Sequence, residues 1–375
     1  MNKFRQFIAA VSFLVGYAAI NLYVVYKIYL WINSRFPPND IIFLCVFLCL
    51  FLLSLVVKYL PMGSSFSRIM QKIGSYWMGI AIYLLMFFVA VDMVNLFNKF
   101  TGIIPVSILN VINFYTGPAA VLMSFILIGY GRYNAKKIKL VSYEVKLKNA
   151  VLNNFKITLI SDLHLGSVSN SEKKLERIVN IINKMNPDIV CIPGDIFNED
   201  FSGIRNSGGA IAVLKNIKTA YGVYACLGNH DRGHTLNQMI DFLEKSNIKL
   251  LNDEHVIIDN RLALFGRQDS STVERKDITN ALNSVSTNFP VVIMDHKPGN
   301  IVEYSNSVGL VLSGHTHGGQ LFPVTLFKNL MFKVGYGYYQ KDENSPQLIV
   351  TSGISLFGPP IRIGTNNEIV SITLR

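Results

Sequence analysis

The chain has 375 residues, half of them hydrophobic and only 16% charged, a balance that excludes a wholly soluble protein. Its formal net charge of +11 is lopsided: residues 1–140 hold twelve of the 35 Lys and Arg but only two of the 24 Asp and Glu. The near-neutral remainder excludes a basic nucleic-acid-binding stripe there, and the four cysteines, all in apolar runs, read as buried thiols rather than a disulfide framework.

A helix needs roughly 20 apolar residues to cross a bilayer. Four segments meet that expectation: Phe7–Ile32, Ile41–Leu60, Ser75–Phe97 and Asn110–Tyr130. Pro37-Pro38 separates the first two, and Gly117-Pro118 predicts a kink in the fourth. With the N-terminus inside, the inner flanks hold Lys3, Arg5, Lys58, Arg68, Lys72, Arg132, Lys136, Lys137 and Lys139, against Lys27, Arg35 and Lys99 outside. That bias predicts a multi-pass protein of the cell membrane with both ends in the cytoplasm. Phe66–Ile73 fits either an interfacial stretch or an ordinary polar loop. Asp92, inside the third span, is either a functional acid or a structural one snorkelling from near the outer end.

After Lys139 the pattern changes to alternating strand and helix. FKITLIS (155–161), PDIVCIPGD (187–195), YGVYACLGNHD (221–231), PVVIMDH (290–296) and VGLVLSGHTH (308–317) read as strands. EKKLERIVNIINKM (172–185), LNQMIDFLEKS and ITNALNSV read as helices, the first with N-caps on offer from Ser169 to Ser171. HVIID and RLALFG form a predicted hairpin, and QLIVTSG and EIVSITL close the chain as strands. The division expected is a transmembrane domain over 1–139 and an α/β domain over 140–375.

Polar residues fall at one place on these strands. Asp162, Asp195, Asn229, His296 and His315 each stand at or after the C-terminal end of an apolar run, the edge where open α/β sheets gather their ligands. In SGHTHGG (313–319), His315 and His317 are two apart, as are Asp162 and His164. In an extended segment such pairs face the same way. Alone, either pair also fits a polar loop. Together the Asp, His and Asn side chains make a mixed O/N set suited to Mn, Fe or Zn.

SDLH (161–164), GD (194–195), GNHD (228–231), DH (295–296) and GHTH (314–317), in this order, resemble the calcineurin-like metallophosphoesterase superfamily over about residues 155–320. The downstream GGQLFP and SGISLFGPPIR resemble its bacterial membrane-attached branch. The resemblance implies a four-layered αββα sandwich, here preceded by a four-helix transmembrane unit, and a centre of two divalent or trivalent metal ions. It implies that Asp162, His164, Asp195 and His317 hold one ion, that Asp195 bridges, and that Asn229, His296 and His315 complete the other. It implies that His230 meets the phosphate or protonates the leaving group, with Asp231 orienting it.

Arg232, Lys297 and Asp269 are candidate substrate contacts and Arg362 a weaker one, whereas His234 and His255 read as surface residues. Cys226–Arg232 has the C-x5-R outline of a cysteine phosphatase loop, but an acid follows within it and Cys226 lies in an apolar strand. The activity expected is hydrolysis of a phosphoester or pyrophosphate, with a lipid-linked substrate such as UDP-2,3-diacylglucosamine implied by the resemblance. The alternatives are a sensor or scaffold without turnover and, on the thin evidence of one intramembrane acid, a transporter. A nuclease lacks the charge that nucleic-acid phosphates demand.

Overall fold

The computed structural model describes residues 3–56, 64–147, 152, 154–269, 275–286 and 288–375. It divides into two compact units, residues 1–133 with 358–361, and 134–357 with 362–375.

The first unit is built on helices α1 (Lys3–Asn33), α2 (Asp40–Val56), α3 (Ser65–Thr101) and α4 (Val106–Asn134). Large apolar side chains such as Leu22, Ile41 and Phe100 point outward from them, as a lipid-facing surface requires. Among the described residues, three stretches are long and apolar enough to cross a membrane, Val11–Asn33, Ser65–Thr101 and Val106–Asn134. The fourth expected segment, Ile41–Leu60, is described only as far as Val56. Helix α2 has 17 described residues, about 25 Å at 1.5 Å per residue. The rest of the segment expected to end at Leu60 lies outside the described residues.

Side-chain contacts order these helices. Trp77 Nε1 donates to Asn21 and Lys27 donates to Asp92, so α1 and α3 run parallel. Tyr29 donates to Asp40, and Tyr17 meets Ser54 at 2.7 Å, so α2 runs back along α1. Asn95 bonds Asn113 and Arg132 bonds Tyr76, so α4 runs back along α3. Helix α3 takes in the Phe66–Ile73 stretch as continuous helix, and α4 runs on through Pro118.

The second unit is two six-stranded sheets. The first has the order β1 (Ile138–Val145), β12 (Asn367–Leu374), β2 (Phe155–Leu159), β3 (Ile189–Pro193), β4 (Val223–Cys226), β5 (Ile248–Leu250). The second has the order β10 (Gly337–Tyr339), β11 (Gln347–Val350), β9 (Leu310–Ser313), β8 (Val291–Met294), β7 (Leu262–Gly266), β6 (Glu254–Ile258). Strands β2 to β5 are mutually parallel, as are β7, β8, β9 and β11. The predicted hairpin is β6–β7.

Alternation along the strands explains the layering. In β3, Ile189 and Cys191 point into a core shared with Leu264, Val292 and Leu312 of the other sheet. Val190 and Ile192 point outward, against Ile178 and Ile182 of α5 (Glu172–Met185) and Phe242 of α7 (Leu236–Lys245). That side also carries Ala210 and Leu214 of α6 (Ser207–Leu214). In β7, Leu262 and Leu264 face the shared core, while Ala263 and Phe265 face Leu282 of α8 (Thr279–Ser286). Strands buried on both faces read as unbroken apolar runs. The result is helices, sheet, sheet, helix, the four-layered αββα sandwich that was expected. Helix α5 begins at Ser171, whose side chain accepts from Lys174 N, and ends at Asn186 with φ 48°.

Candidate metal centre

The parallel strands of both sheets deliver polar side chains at their C-terminal ends. Asp162 and His164 follow β2, Asp195 follows β3, and Asn229 and His230 follow β4. From the other sheet His296 follows β8, and His315 and His317 follow β9. Two groups form. Asp162, His164 and His317 make one; Asp195, His296 and His315 make the other, with the ligand atoms of each group within 4.8 Å of one another.

The distances show how close the groups lie. His164 Nε2 and His317 Nε2 stand 3.3 Å apart, and His317 Nε2 is 3.5 Å from Asp162 Oδ1. Asp195 Oδ2 is 3.1 Å from His296 Nε2 and 4.0 Å from His164 Nε2, so one carboxylate oxygen faces both groups. His296 Nδ1 lies 2.9 Å from Pro193 O, which fixes its ring.

These residues do not converge by strand alternation, as the two-residue spacing predicted. Strand β2 ends at Leu159, and Asp162, His164, Asp195, His315 and His317 all have positive φ, between 46° and 72°. Left-handed backbone at non-glycine residues costs energy and clusters at functional sites. Close approach makes it feasible: a Cβ on Gly228 would sit 2.3 Å from Asp195 Oδ1, and one on Gly314 would sit 2.5 Å from Asp162 Oδ2.

The donor set fits cations. Asp162, His164 and His296 are fully buried, and Asp195 and His317 nearly so. Buried polar atoms ordinarily have hydrogen-bond partners. Here Asn229 Oδ1 has none. Burial holds His164 and His315 down to about 3, and His317 well below the usual histidine range, so these rings are neutral and offer lone pairs. His296 differs: burial opposes its charge, but Asp195 and Asp162 outweigh burial and raise it to about 10. Burial raises Asp162 to about 6. Burial also opposes ionisation of Asp195, yet the neighbouring imidazoles hold it well below the usual carboxylate range.

The expectation for Asp231 is corrected. Its carboxylate does not meet the His230 ring; it accepts from the backbone N–H groups of Phe197 (2.7 Å), Gly228 (2.8 Å) and Ile196 (3.2 Å). The acid beside His230 is Glu199, whose Oε1 stands 3.3 Å from Nδ1. The opposite ring nitrogen, Nε2, points inward to within 4.0 Å of Asp195 Oδ2. Burial works against a charged His230, but Glu199 and Asp195 prevail and raise its pKa. Sequence reasoning missed Glu199; its place four residues after Asp195 in the same loop was the available signal.

Other candidates separate. Lys297 and Asp269 pair with each other at 3.2 Å and bear on the charge of His315. Arg232, His234 and His255 are exposed, His255 stacking on Phe265. Arg362 is fully buried and faces no substrate space. Its guanidinium donates to the carbonyls of His317, Ser352 and Ser355, pinning the loop that carries His317. Cys226 is buried, and desolvation raises its thiol well above the ordinary range, so the cysteine-phosphatase outline is only an outline. Phe357, also unforeseen, is 53% exposed and lies 5.3 Å from the His230 ring.

The calcineurin-like phosphoesterase family model matches residues 155–319. The chain is 30% identical to an uncharacterised metallophosphoesterase of Campylobacter jejuni over 68% of each chain. It is 32% identical to one of Aquifex aeolicus over 62% of this chain and 85% of that one. The chain belongs to the calcineurin-like metallophosphoesterases. It is also 31% identical to a transmembrane protein with metallophosphoesterase domain of Danio rerio, over 68% of this chain and 62% of that relative's length. This metallophosphoesterase therefore spans less than two thirds of that relative.

Proposed function

We propose that the chain is a membrane-anchored, metal-dependent phosphohydrolase, with a transmembrane domain over residues 1–139 and a catalytic domain over 140–375. The observation that carries the reading is Asp195 Oδ2, set between two separate groups of buried ligands. Asp162, His164, Asp195 and His317 would hold one ion, and Asp195, Asn229, His296 and His315 the other. Two bound ions would orient a phosphoryl group, supply hydroxide at neutral pH and offset charge on the leaving oxygen. The mixed O/N ligands suit Mn, Fe or Zn.

His230 acts as the acid. Glu199 favours its charged form, and Nε2 on the inward side gives its proton to the leaving-group oxygen. Asp231 holds the backbone that presents Asp195 and Asn229. Lys297, tied to Asp269, and the exposed Arg232 are the cations nearest in sequence to the ligands; a substrate phosphate would compete for Lys297.

The substrate is a lipid-linked phosphoester or pyrophosphate, of which UDP-2,3-diacylglucosamine is one example. Apolar surface next to the site supports this. Phe332 lies 5.7 Å from His315 and caps α9 (Val324–Met331), a helix with no buried residue. Leu326, Phe327, Leu330 and Met331 of that helix are exposed, Leu330 by 83%. Such a strip suits acyl chains. The up-down-up-down course of α1 to α4 and the positive flanks support both ends in the cytoplasm.

The test uses the full chain in phosphatidylcholine nanodiscs with Mn²⁺ and bis-p-nitrophenyl phosphate. Hydrolysis is expected, and Asp195→Asn or His230→Ala should remove it. Bound metal without turnover on a broad phosphoester panel would favour the scaffold instead. A deletion strain should accumulate a phosphorylated lipid species.

A further inference from the structure

Asp92 is not a lone acid in the helical unit. Its carboxylate accepts from Lys27 Nζ at 2.5 Å and from Tyr23 OH at 2.6 Å. Each charge of that pair answers the other. Arg35, two residues beyond the end of α1, is a cation without such an answer. Its Nη1 donates to Trp31 O (2.8 Å) and Ser34 Oγ (2.9 Å), and its Nη2 donates to Phe114 O (2.5 Å). Its guanidinium lies 4.0 Å from the Phe114 ring centroid and 5.0 Å from that of Trp31. Every one of these partners is neutral. Among the described residues, no carboxylate lies within ion-pair distance of Arg35. The side chain is thus fixed in place with its charge uncompensated.

Arg35 and Lys27 border a cavity of about 510 Å³ between α1, α3 and α4. Its wall also carries Ser34, Asn95 and Asn113, the two asparagines bonded to each other at 2.9 Å. The volume falls in the range that small ligands occupy. A fixed cation and amides beside a cavity in an otherwise apolar helical unit call for an anionic oxygen ligand. From Asn113 to Tyr133, α4 runs for twenty residues, about 30 Å of helix and a full hydrocarbon thickness. The cavity therefore opens at the membrane face opposite the C-terminal end of α4.

We propose that this cavity binds a phosphate-bearing anion, with Arg35 meeting the phosphate and Ser34, Asn95 and Asn113 completing the polar wall. A glycerophospholipid headgroup or free phosphate offers the same chemistry. The site is independent of the metal centre and of any turnover there.

Trp31 lines the cavity and serves as the reporter. The full chain in a neutral maltoside detergent is titrated with dihexanoyl phosphatidylglycerol, dihexanoyl phosphatidylcholine and inorganic phosphate while tryptophan emission is followed. A saturable change is expected with the anionic lipid or with phosphate, weakened at least tenfold by Arg35→Gln and much less by Arg35→Lys. Saturation by the lipid alone identifies a headgroup; saturation by phosphate as well identifies the free anion as sufficient. If Arg35→Gln loses its helical circular dichroism, Asn113→Leu provides the comparison and should weaken binding at least threefold. No saturable change with either anion would overturn the proposal. So would binding by the folded variants within twofold of the parent.

Discussion

Removing the Asp231 carboxylate tests whether this acid serves the backbone or the His230 ring. In Asp231→Ala three N–H groups, those of Ile196, Phe197 and Gly228, lose their acceptor in a buried place. An orphaned buried donor costs about 1–3 kcal/mol. At the low end for each of the three, the domain loses about 3 kcal/mol. For a unit of this size 1 kcal/mol moves the melting temperature by about 2–4 °C, so a fall of roughly 6–12 °C is expected. The structure supplies the assay. Cys191 and Cys226 are buried in the sandwich, whereas Cys45 and Cys49 are exposed on α2. With Cys45 and Cys49 replaced by Ala, a thiol-reactive dye reports only the opening of the sandwich as temperature rises. Asp231→Asn keeps one acceptor oxygen, which in the place of Oδ2 can serve both Ile196 and Gly228, and should recover no more than about two thirds of the loss. A melting temperature within 2 °C of the parent, together with lost hydrolysis, would refute the reasoning and return Asp231 to the role of orienting His230.

Metal analysis of the full chain after loading with Mn²⁺ or Zn²⁺ should find two ions; Asp195→Asn should weaken both sites and His317→Ala only one, and equal losses in the two variants would count against a shared carboxylate. Loading at pH 7 should release protons, because His296 is raised to about 10 and keeps its proton until a cation displaces it. Calorimetry in two buffers of different ionisation enthalpy measures that release, and affinity should rise with pH. Glu199→Gln removes a carboxylate that favours the charged imidazole of His230. The pKa of His230 should then fall, and since the acid must be protonated to act, the high-pH limb of the pH–rate profile should shift to lower pH. An unmoved limb would take Glu199 out of the proton transfer.

How much could be read beforehand depended on how local the signal was. Strands β3, β4, β8 and β9 announce themselves as short apolar runs leading to Asp, Asn or His, because burial on both faces leaves no polar position until the rim; β2 is similar but exposes Lys156. Strand β1 did not, since it is an outer strand whose alternation of Lys139, Ser142 and Glu144 with apolar residues resembles the linker it follows. Helix α9 is only eight residues long and buries none of them, so its apolar residues gave no sign of a core-packed helix. The same logic divides the site. Its ligands sit in five short motifs, but Glu199 belongs to none, and the use of Arg362 as a clamp depends on carbonyls as much as 45 residues away along the chain. Asp231 shows the converse: its adjacency to His230 suggested a pair, whereas the turn after β4 directs its carboxylate to the neighbouring loop.

That turn leads to what the motifs encode. Five of the proposed ligand residues adopt left-handed backbone, at a cost of about 1–3 kcal/mol each when the surroundings enforce it. The chain's own side chains and backbone hold the Asp195 and His317 loops by contacts that involve no ligand atom of a cation site. The structure names the holders. Asp231 grips the Asp195 loop from one side, Arg362 grips the His317 loop from the other, and His315 N lies 3.2 Å from Asp162 Oδ1, which accepts its proton. Gly228 and Gly314 stand where any Cβ would strike a ligand carboxylate. The letters G and D in GNHD and the G in GHTH are therefore instructions for the backbone, distinct from the letters that coordinate. A substitution at a holder should loosen the site without touching a ligand, and its effect should be partly recovered by excess metal, whereas a ligand substitution should not be.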